Sequence, residues 1–428
     1  MTGPGGRGAR RGTRGDEAVI QALLSGPLSA KTRVDAALGP LTSYRVGGSA
    51  SALVVVNDRG EVAALCEALC SSQECARTPV AVIGRGSNLL VSDDGFAGLA
   101  VMLGPGFSKV SIAETTVAAG GSAKLPVVAR ASVSAGLSGF EWAVGVPGSV
   151  GGAVRMNAGG HGAEIRDSLI DAELIDLRNG ALFSRSNDGL EFGYRTSSVD
   201  TAELVLGARF ELSRAAAAAG SARLAEIVAW RRANQPGGHN SGSVFSNPDG
   251  DSAGRLIETV GAKGLRIGTA EVSRKHANFI QADDDGRAAD ILSLMAELRR
   301  RVLERHGIEL QFETQLLGFD EPDASDDWDP RAAGNACGAK DARGAGNACG
   351  AGDARGAGNA CGAKDACGAG DARGAGNACG AGNAYGAGDA RGAGNACGAK
   401  DACGAGNTCG EGAAPADSGG CADGNGSR

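Results

Sequence analysis

Of the 428 residues, which carry a formal net charge of −7, residues 331–428 hold 28 of the 72 glycines and nine of the twelve cysteines but a single aromatic, Tyr385. Such a stretch lacks the apolar surface that offsets chain entropy, so the packed part is Asp16–Pro330, where 40 acids outnumber 29 bases. That acidity excludes general duplex binding, the lack of any apolar run near roughly 18 residues excludes a membrane helix, and four histidines without an H-E-x-x-H pairing exclude a zinc hydrolase.

The arm Met1–Gly15, with four arginines and no acid, reads as a solvated tail. A short helix is expected over Glu17–Leu24, then a buried strand at Ala52–Val56. Asp58 is placed to cap a helix over Glu61–Leu69, where Val62, Leu65, Cys66 and Leu69 recur at helical spacing. Cys66, Cys70 and Cys75 are read as packing residues. A second strand, Val80–Ile83, runs directly into a glycine-rich turn. Strands then dominate, at Leu99–Leu103, Val110–Ile112, Thr116–Ala119, Leu169–Ile175 and Leu204–Leu212, with a helix near Leu125–Ala135. The alanine run Ala215–Ala219 reads as a boundary. Beyond it come helices at Leu224–Ala233, Ala253–Val260 and Ala288–Arg305, and strands at Asn278–Ile280 and Ile308–Leu317. This pattern is α+β with mixed sheets, not a repeating βαβ wheel. From about Ala333 the tail repeats with period six, as in Gly-Ala-Gly-Asn-Ala-Cys, without the branched aliphatic that a hexapeptide solenoid needs each turn. An amino terminus without an apolar h-region points to a cytoplasmic chain, where the tail's thiols are not expected to pair.

Three segments carry chemistry. In Gly84-Arg-Gly86-Ser87-Asn88-Leu89 two glycines of a dinucleotide fingerprint are present, but Leu89 stands where the third belongs, and no acid follows at the Rossmann distance. Successive N–H groups of such a turn can still converge on one anion, with Ser87 and Asn88 adding side-chain donors. The loop Gly145–Gly160, with Pro147, Gly148, Ser149 and Gly152, has the glycine density of backbone lying against a ligand. Two such loops could grip both ends of an extended dinucleotide, or be independent turns. In the third segment, Gln235–Pro248, Ser243 sits between a glycine and two apolar residues; a hydrolase would pair it with His239, but no G-x-S-x-G elbow is present. Arg195 reads either as an exposed strand-end charge or as a catalytic residue. Glu313 lies among Leu310, Phe312, Leu316 and Leu317, either solvent-facing by alternation or a buried acid held protonated.

Together these motifs resemble the UDP-N-acetylenolpyruvoylglucosamine reductase family, compact subtype, from about Leu41 to Phe319. The likeness rests on Leu41–Gly48, Gly84–Leu90, Gly145–Asn157, Phe192–Ser197, Gly242–Pro248, Ala253–Glu258, Gly268–Ser273 and His276–Ile280. It implies a vanillyl-alcohol-oxidase/PCMH-type fold of two α+β subdomains, 31–98 and 99–214, with a substrate domain at 215–319, preceded by residues 1–30 and followed by the tail 320–428. It implies non-covalent FAD held by Gly47, Gly48, Gly84, Gly86, Ser87, Asn88, Leu89, Pro147, Gly148, Ser149 and Gly152, with NADPH as reductant. The implied reaction reduces the enolpyruvyl group of a UDP-sugar to UDP-N-acetylmuramate for peptidoglycan. Arg195 and Glu313 would stabilise the enediolate, and Ser243 would deliver the proton. Tyr194, Asn247, Lys263 and His276 would meet substrate, Lys263 at the diphosphate. Ser246 replaces a lysine common in the family, removing one cation. The expected partner is the UDP-sugar alone, with no metal, nucleic acid or membrane, and the expected state is a monomer. Two rival readings are an alcohol or hydroxy-acid oxidase of the same fold and a scaffold acting through its repeats.

Overall fold

The computed structural model describes residues 14–319. The basic arm up to Thr13, the repeat tail and its nine cysteines lie outside the described residues.

Helix α1 (Arg14–Ser25) buries Val19 and Leu23 against the first sheet. That sheet is built from β1 (Thr32–Ala37), β2 (Ser49–Val56), β3 (Val80–Val82) and β5 (Phe96–Leu103), in the order β1-β2-β5-β3. Strands β2 and β3 run parallel to β5. Helix α2 (Arg59–Cys70) begins at Asp58, whose carboxylate accepts the Glu61 N–H, as its sequence position requires. Val62, Leu65, Cys66 and Leu69 pack with Ala52, Val54 and Val56, while Leu53 and Ala50 face a separate cluster with Ile83 and Val91. Both faces of β2 are therefore covered, so Ala52–Val56 reads as an unbroken apolar run. Cys66 and Cys75 are buried and Cys70 is exposed, its thiol donating to the Arg178 carbonyl. Burial pushes the Cys66 thiol up to about 11.

The second layer starts with β6 (Val110–Ala113), β7 (Thr116–Gly120), α3 (Leu125–Ser134), β8 (Leu137–Ser138) and the short α4 (Val150–Arg155). A two-residue hairpin of β9 (Gly159–Gly160) and β10 (Ala163–Glu164) leads into β11 (Leu169–Asp176), β12 (Ala181–Ser186), β13 (Glu203–Glu211) and β14 (Ser213–Arg214). An antiparallel sheet of order β12-β11-β13-β7-β6 results. Its core holds Phe140 against Trp142 and Phe210, with ring centroids 5.3 and 4.9 Å apart.

Helix α5 (Ala217–Asn234) corrects one expectation: it starts well before Leu224, with the last alanines of the run in its first turn. Alanine has the highest helix propensity, so the run extends the helix toward its amino end. Helix α6 (Ala253–Thr259), the sheet β15 (Arg266–Ile267), β16 (Ala270–Val272) and β17 (Ile280–Ala282), and α7 (Ala288–His306) enclose a third core. Along α7, Ile291, Leu294, Met295, Leu298 and Val302 are buried at helical spacing.

The last strand is a second correction. Only β18 (Gln315–Leu317) is a strand; it pairs in parallel with β4 (Leu89–Val91) and so returns to the first layer. Before it, Phe312 makes a single bridge to Phe245. Asp93, just after β4, accepts the N–H groups of Ala288 and Ala289 at 2.8 and 3.0 Å. An acid of the first layer thus caps the α7 helix of the third.

Candidate active site

The turn between β3 and β4 sets one wall. Gly86 has φ +59°, and a Cβ there would lie 2.2 Å from the Leu41 carbonyl oxygen, so only glycine fits. Among the described residues no protein carbonyl accepts the N–H groups of residues 84–88, which leaves a row of donors open. A Cβ on Gly84 would stand 2.7 Å from Ser149 Oγ, so the turn touches the second glycine loop there. Pro147, Gly148, Ser149 and Gly152 face the turn across a cavity of about 310 Å³. A second cavity of about 290 Å³ shares the walls made by Gly84, Arg85, Ser149 and Gly152. Gly47 and Gly48 line neither cavity; their backbone packs against Val91 and Asp93.

Arg195, Ser243 and Glu313 all line the larger cavity, beside Gly84, Gly86, Ser87, Asn88 and Leu89. Arg195 sits in a turn closed by Gly193 and Thr196, with φ +59°. Its Nε–H donates to Glu313 Oε1 at 2.8 Å, and a second guanidinium nitrogen donates to the Gly159 carbonyl at 3.1 Å. Asn157, fully buried, donates to the Gly193 carbonyl at 2.9 Å and so braces this turn. Glu313 is therefore not on a solvated face. Burial raises its pKa above the usual carboxylate value, and the Arg195 charge and hydrogen bond oppose that rise.

Ser243 follows Gly242, which has φ +84°, and precedes Val244 and Phe245, both buried. Asn278 fixes this segment, donating to the Phe245 carbonyl at 2.8 Å and accepting the Phe245 N–H at 3.0 Å. His239 points elsewhere, 3.6 Å from Asp284. Asn88 also departs from expectation: its side-chain amide donates to the Glu313 carbonyl at 2.8 Å rather than standing free for an anion.

The four residues expected at substrate line neither cavity. Tyr194 is exposed, with the Arg195 guanidinium 5.0 Å from its ring centroid. Asn247 accepts the Ala253 N–H at 3.1 Å, at the start of α6. Lys263 Nζ lies 2.8 Å from Glu258 Oε1. His276 shares that neighbourhood: burial and then the Lys263 charge lower its pKa.

Two lining residues were missed. Arg231 and Gln235, four apart at the end of α5, both face the larger cavity. Burial lowers the pKa of Arg231, and Gln235 Oε1 is buried without a partner. The i,i+4 spacing in Arg231-Arg-Ala-Asn-Gln235 was the available signal, but charges at a helix end read as solvated.

Comparison with known proteins decides the family. An FAD binding domain model matches residues 50–185, and a model for the C-terminal domain of UDP-N-acetylenolpyruvoylglucosamine reductase matches residues 234–317. The UDP-N-acetylenolpyruvoylglucosamine reductase of Paramagnetospirillum magneticum is 42% identical over 286 residues, covering 67% of this chain and 91% of that protein. The chain belongs to the UDP-N-acetylenolpyruvoylglucosamine reductase family. The reductase of Acidiphilium cryptum is 41% identical over the same shares of both chains. The crystal structure of UDP-N-acetylenolpyruvylglucosamine reductase from Thermus caldophilus aligns with TM-score 0.58 and 35% identity, covering 67% of this chain and 99% of that one. The fold is accordingly the α+β FAD-binding type with two subdomains and a C-terminal domain, and the expectations of FAD and NADPH hold for this reductase family.

Proposed function

We propose that the cavity shared by Arg195, Ser243 and Glu313 is where this chain reduces the enolpyruvyl group of a UDP-sugar to UDP-N-acetylmuramate. The observation that carries the reading is the convergence of these three side chains on one space with both glycine loops.

The residues present fit FAD. The open N–H groups of 84–88 suit a diphosphate, and the contact of Gly84 with Ser149 leaves room for backbone approach but not for a side chain. Gly84, Gly86, Ser87, Pro147, Gly148, Ser149 and Gly152 would hold it. Bound FAD, reduced by NADPH, supplies hydride to the terminal alkene carbon of the substrate.

The chain's own side chains do the rest. Addition at the terminal carbon drives negative charge into the substrate carboxylate. Arg195 presents two guanidinium nitrogens in a fixed fork to that carboxylate. Glu313, whose pKa is raised by burial and lowered by Arg195, would donate to the same oxygens in its protonated form. Ser243 delivers a proton to the α-carbon; a hydroxyl is a weak acid, but an enediolate carbon is a strong base within a walled pocket. Arg231 adds a second, half-buried cation to the cavity wall, and Lys263, released from Glu258, would meet the diphosphate beside His276. We further take the enzyme as a cytoplasmic monomer; no helix among the described residues is long and apolar enough to cross a membrane.

The test is an absorbance spectrum of the purified protein before NADPH, after it, and after the enolpyruvyl sugar. Flavin absorbance should bleach and then return on adding the sugar faster than in air alone. Ser243→Ala should spare the bleaching and slow the return by roughly 10²–10⁴-fold. An equally fast return in that variant removes Ser243 from the mechanism.

A further inference from the structure

The segment carrying Glu313 is held from two sides. On one side, the Glu313 N–H donates to the Val244 carbonyl at 2.8 Å, next to Ser243. On the other, Asn88 Nδ2 donates to the Glu313 carbonyl at 2.8 Å, and the Gln315 N–H donates back to the Asn88 carbonyl at 3.0 Å. Asn88 thus holds Glu313, which lies two residues before β18, and Gln315, where the β4–β18 ladder begins opposite Leu89. No sheet hydrogen bond sets the height of Glu313; the Asn88 amide and the Val244 carbonyl hold it at 2.8 Å each, with the Gln315 Nε2–H a longer second donor to the Glu313 carbonyl at 3.4 Å.

From this geometry we infer that Asn88 is a positioning residue for the reduction: its side chain sets Glu313 against Arg195, while its backbone closes the turn that faces the cofactor. The turn that receives the anionic cofactor and the carboxyl that meets the developing enediolate then share one residue. Losing the Nδ2–H lets the Glu313 backbone shift along β4 and lengthens the 2.8 Å contact to Arg195. A misplacement of about 1 Å in a catalytic group can cost on the order of 10²-fold in rate.

The inference rests on the reductase reading, and half-reactions separate the two. Asn88→Asp keeps the side-chain shape but puts an oxygen opposite the Glu313 carbonyl. Asn88→Ala removes the donor without adding charge and serves if the first variant does not fold. Both are loaded with FAD to saturation and compared with the wild-type enzyme loaded in the same way. We expect flavin reduction by NADPH and the KM for the enolpyruvyl sugar to stay within about twofold, while flavin reoxidation at saturating sugar slows roughly 10- to 100-fold. Unchanged reoxidation in the Asn88 variants, equal slowing of both half-reactions, or failure to bind FAD at millimolar concentration overturns the positioning role. Wild-type enzyme that the sugar does not reoxidise would instead overturn the reductase reading.

Discussion

Arg195 and Glu313 form an ion pair at 2.8 Å across 118 residues of chain, both largely shielded from solvent and both on the wall of one cavity. Neither partner is held by the pair alone. Arg195 is also tied to the Gly159 carbonyl, and Glu313 to Asn88 and Val244 through its backbone. A guanidinium fixed in this way is aimed before substrate arrives, which is what makes charge stabilisation effective.

Arg195→Lys keeps a cation but loses the fork. Flavin reoxidation by the enolpyruvyl sugar should fall about 10²–10³-fold with FAD affinity retained, measured by stopped flow. A loss below about threefold would show that the fork is not used.

Glu313 titrates above the ordinary carboxylate value because it is buried, with Arg195 opposing the shift. A proton donor with a raised pKa is competent at low pH, and its contribution is lost as pH rises through that value. The rate of reoxidation should therefore show an alkaline limb from this group. Glu313→Gln retains an N–H donor and should abolish the limb while lowering the plateau; a pH–rate profile with the limb intact assigns it elsewhere.

Gly86→Ala places a methyl against the Leu41 carbonyl at a positive φ. The turn must open, and FAD affinity should drop at least about tenfold, with folding weakened by about 1 kcal/mol or more. Titration of the apoprotein with FAD, followed by flavin fluorescence, checks this.

Asp93 caps α7 across a layer boundary. Asp93→Ala should cost about 0.5–2 kcal/mol in urea unfolding, and Asp93→Asn should recover most of it, because an amide oxygen also accepts helix N–H groups. Equal losses in the two variants would mean that the charge, not the cap, matters.

His276 has its pKa lowered by burial and by Lys263. Below about pH 6.5 the unfolded chain binds a proton that the folded chain resists, so stability falls as pH drops through that window. His276→Asn should flatten part of the loss seen in urea midpoints between about pH 7.5 and about pH 5.5. His161, whose pKa is also lowered by burial, keeps the remainder.

Much of the fold was legible because its signals act over a few residues. The Asp58 cap, the helical spacing of Val62, Leu65, Cys66 and Leu69, and the apolar run Ala52–Val56 each dictate local structure wherever they sit. The order of the glycine motifs likewise pointed to the family and to Arg195, Ser243 and Glu313 as a set. Which way Glu313 faces could not be read, since alternation assumes a strand, and the chain is bridged there only at Phe312 until Gln315. Arg231 and Gln235 looked solvated because nothing within a helical turn of them says what covers the helix end. Asn88 could be placed on a turn but not given a partner 225 positions away. Caps and periodicities are enthalpic and steric choices made by neighbours. Burial of a charge, or the target of an amide, is settled only when distant segments close on one another and water leaves.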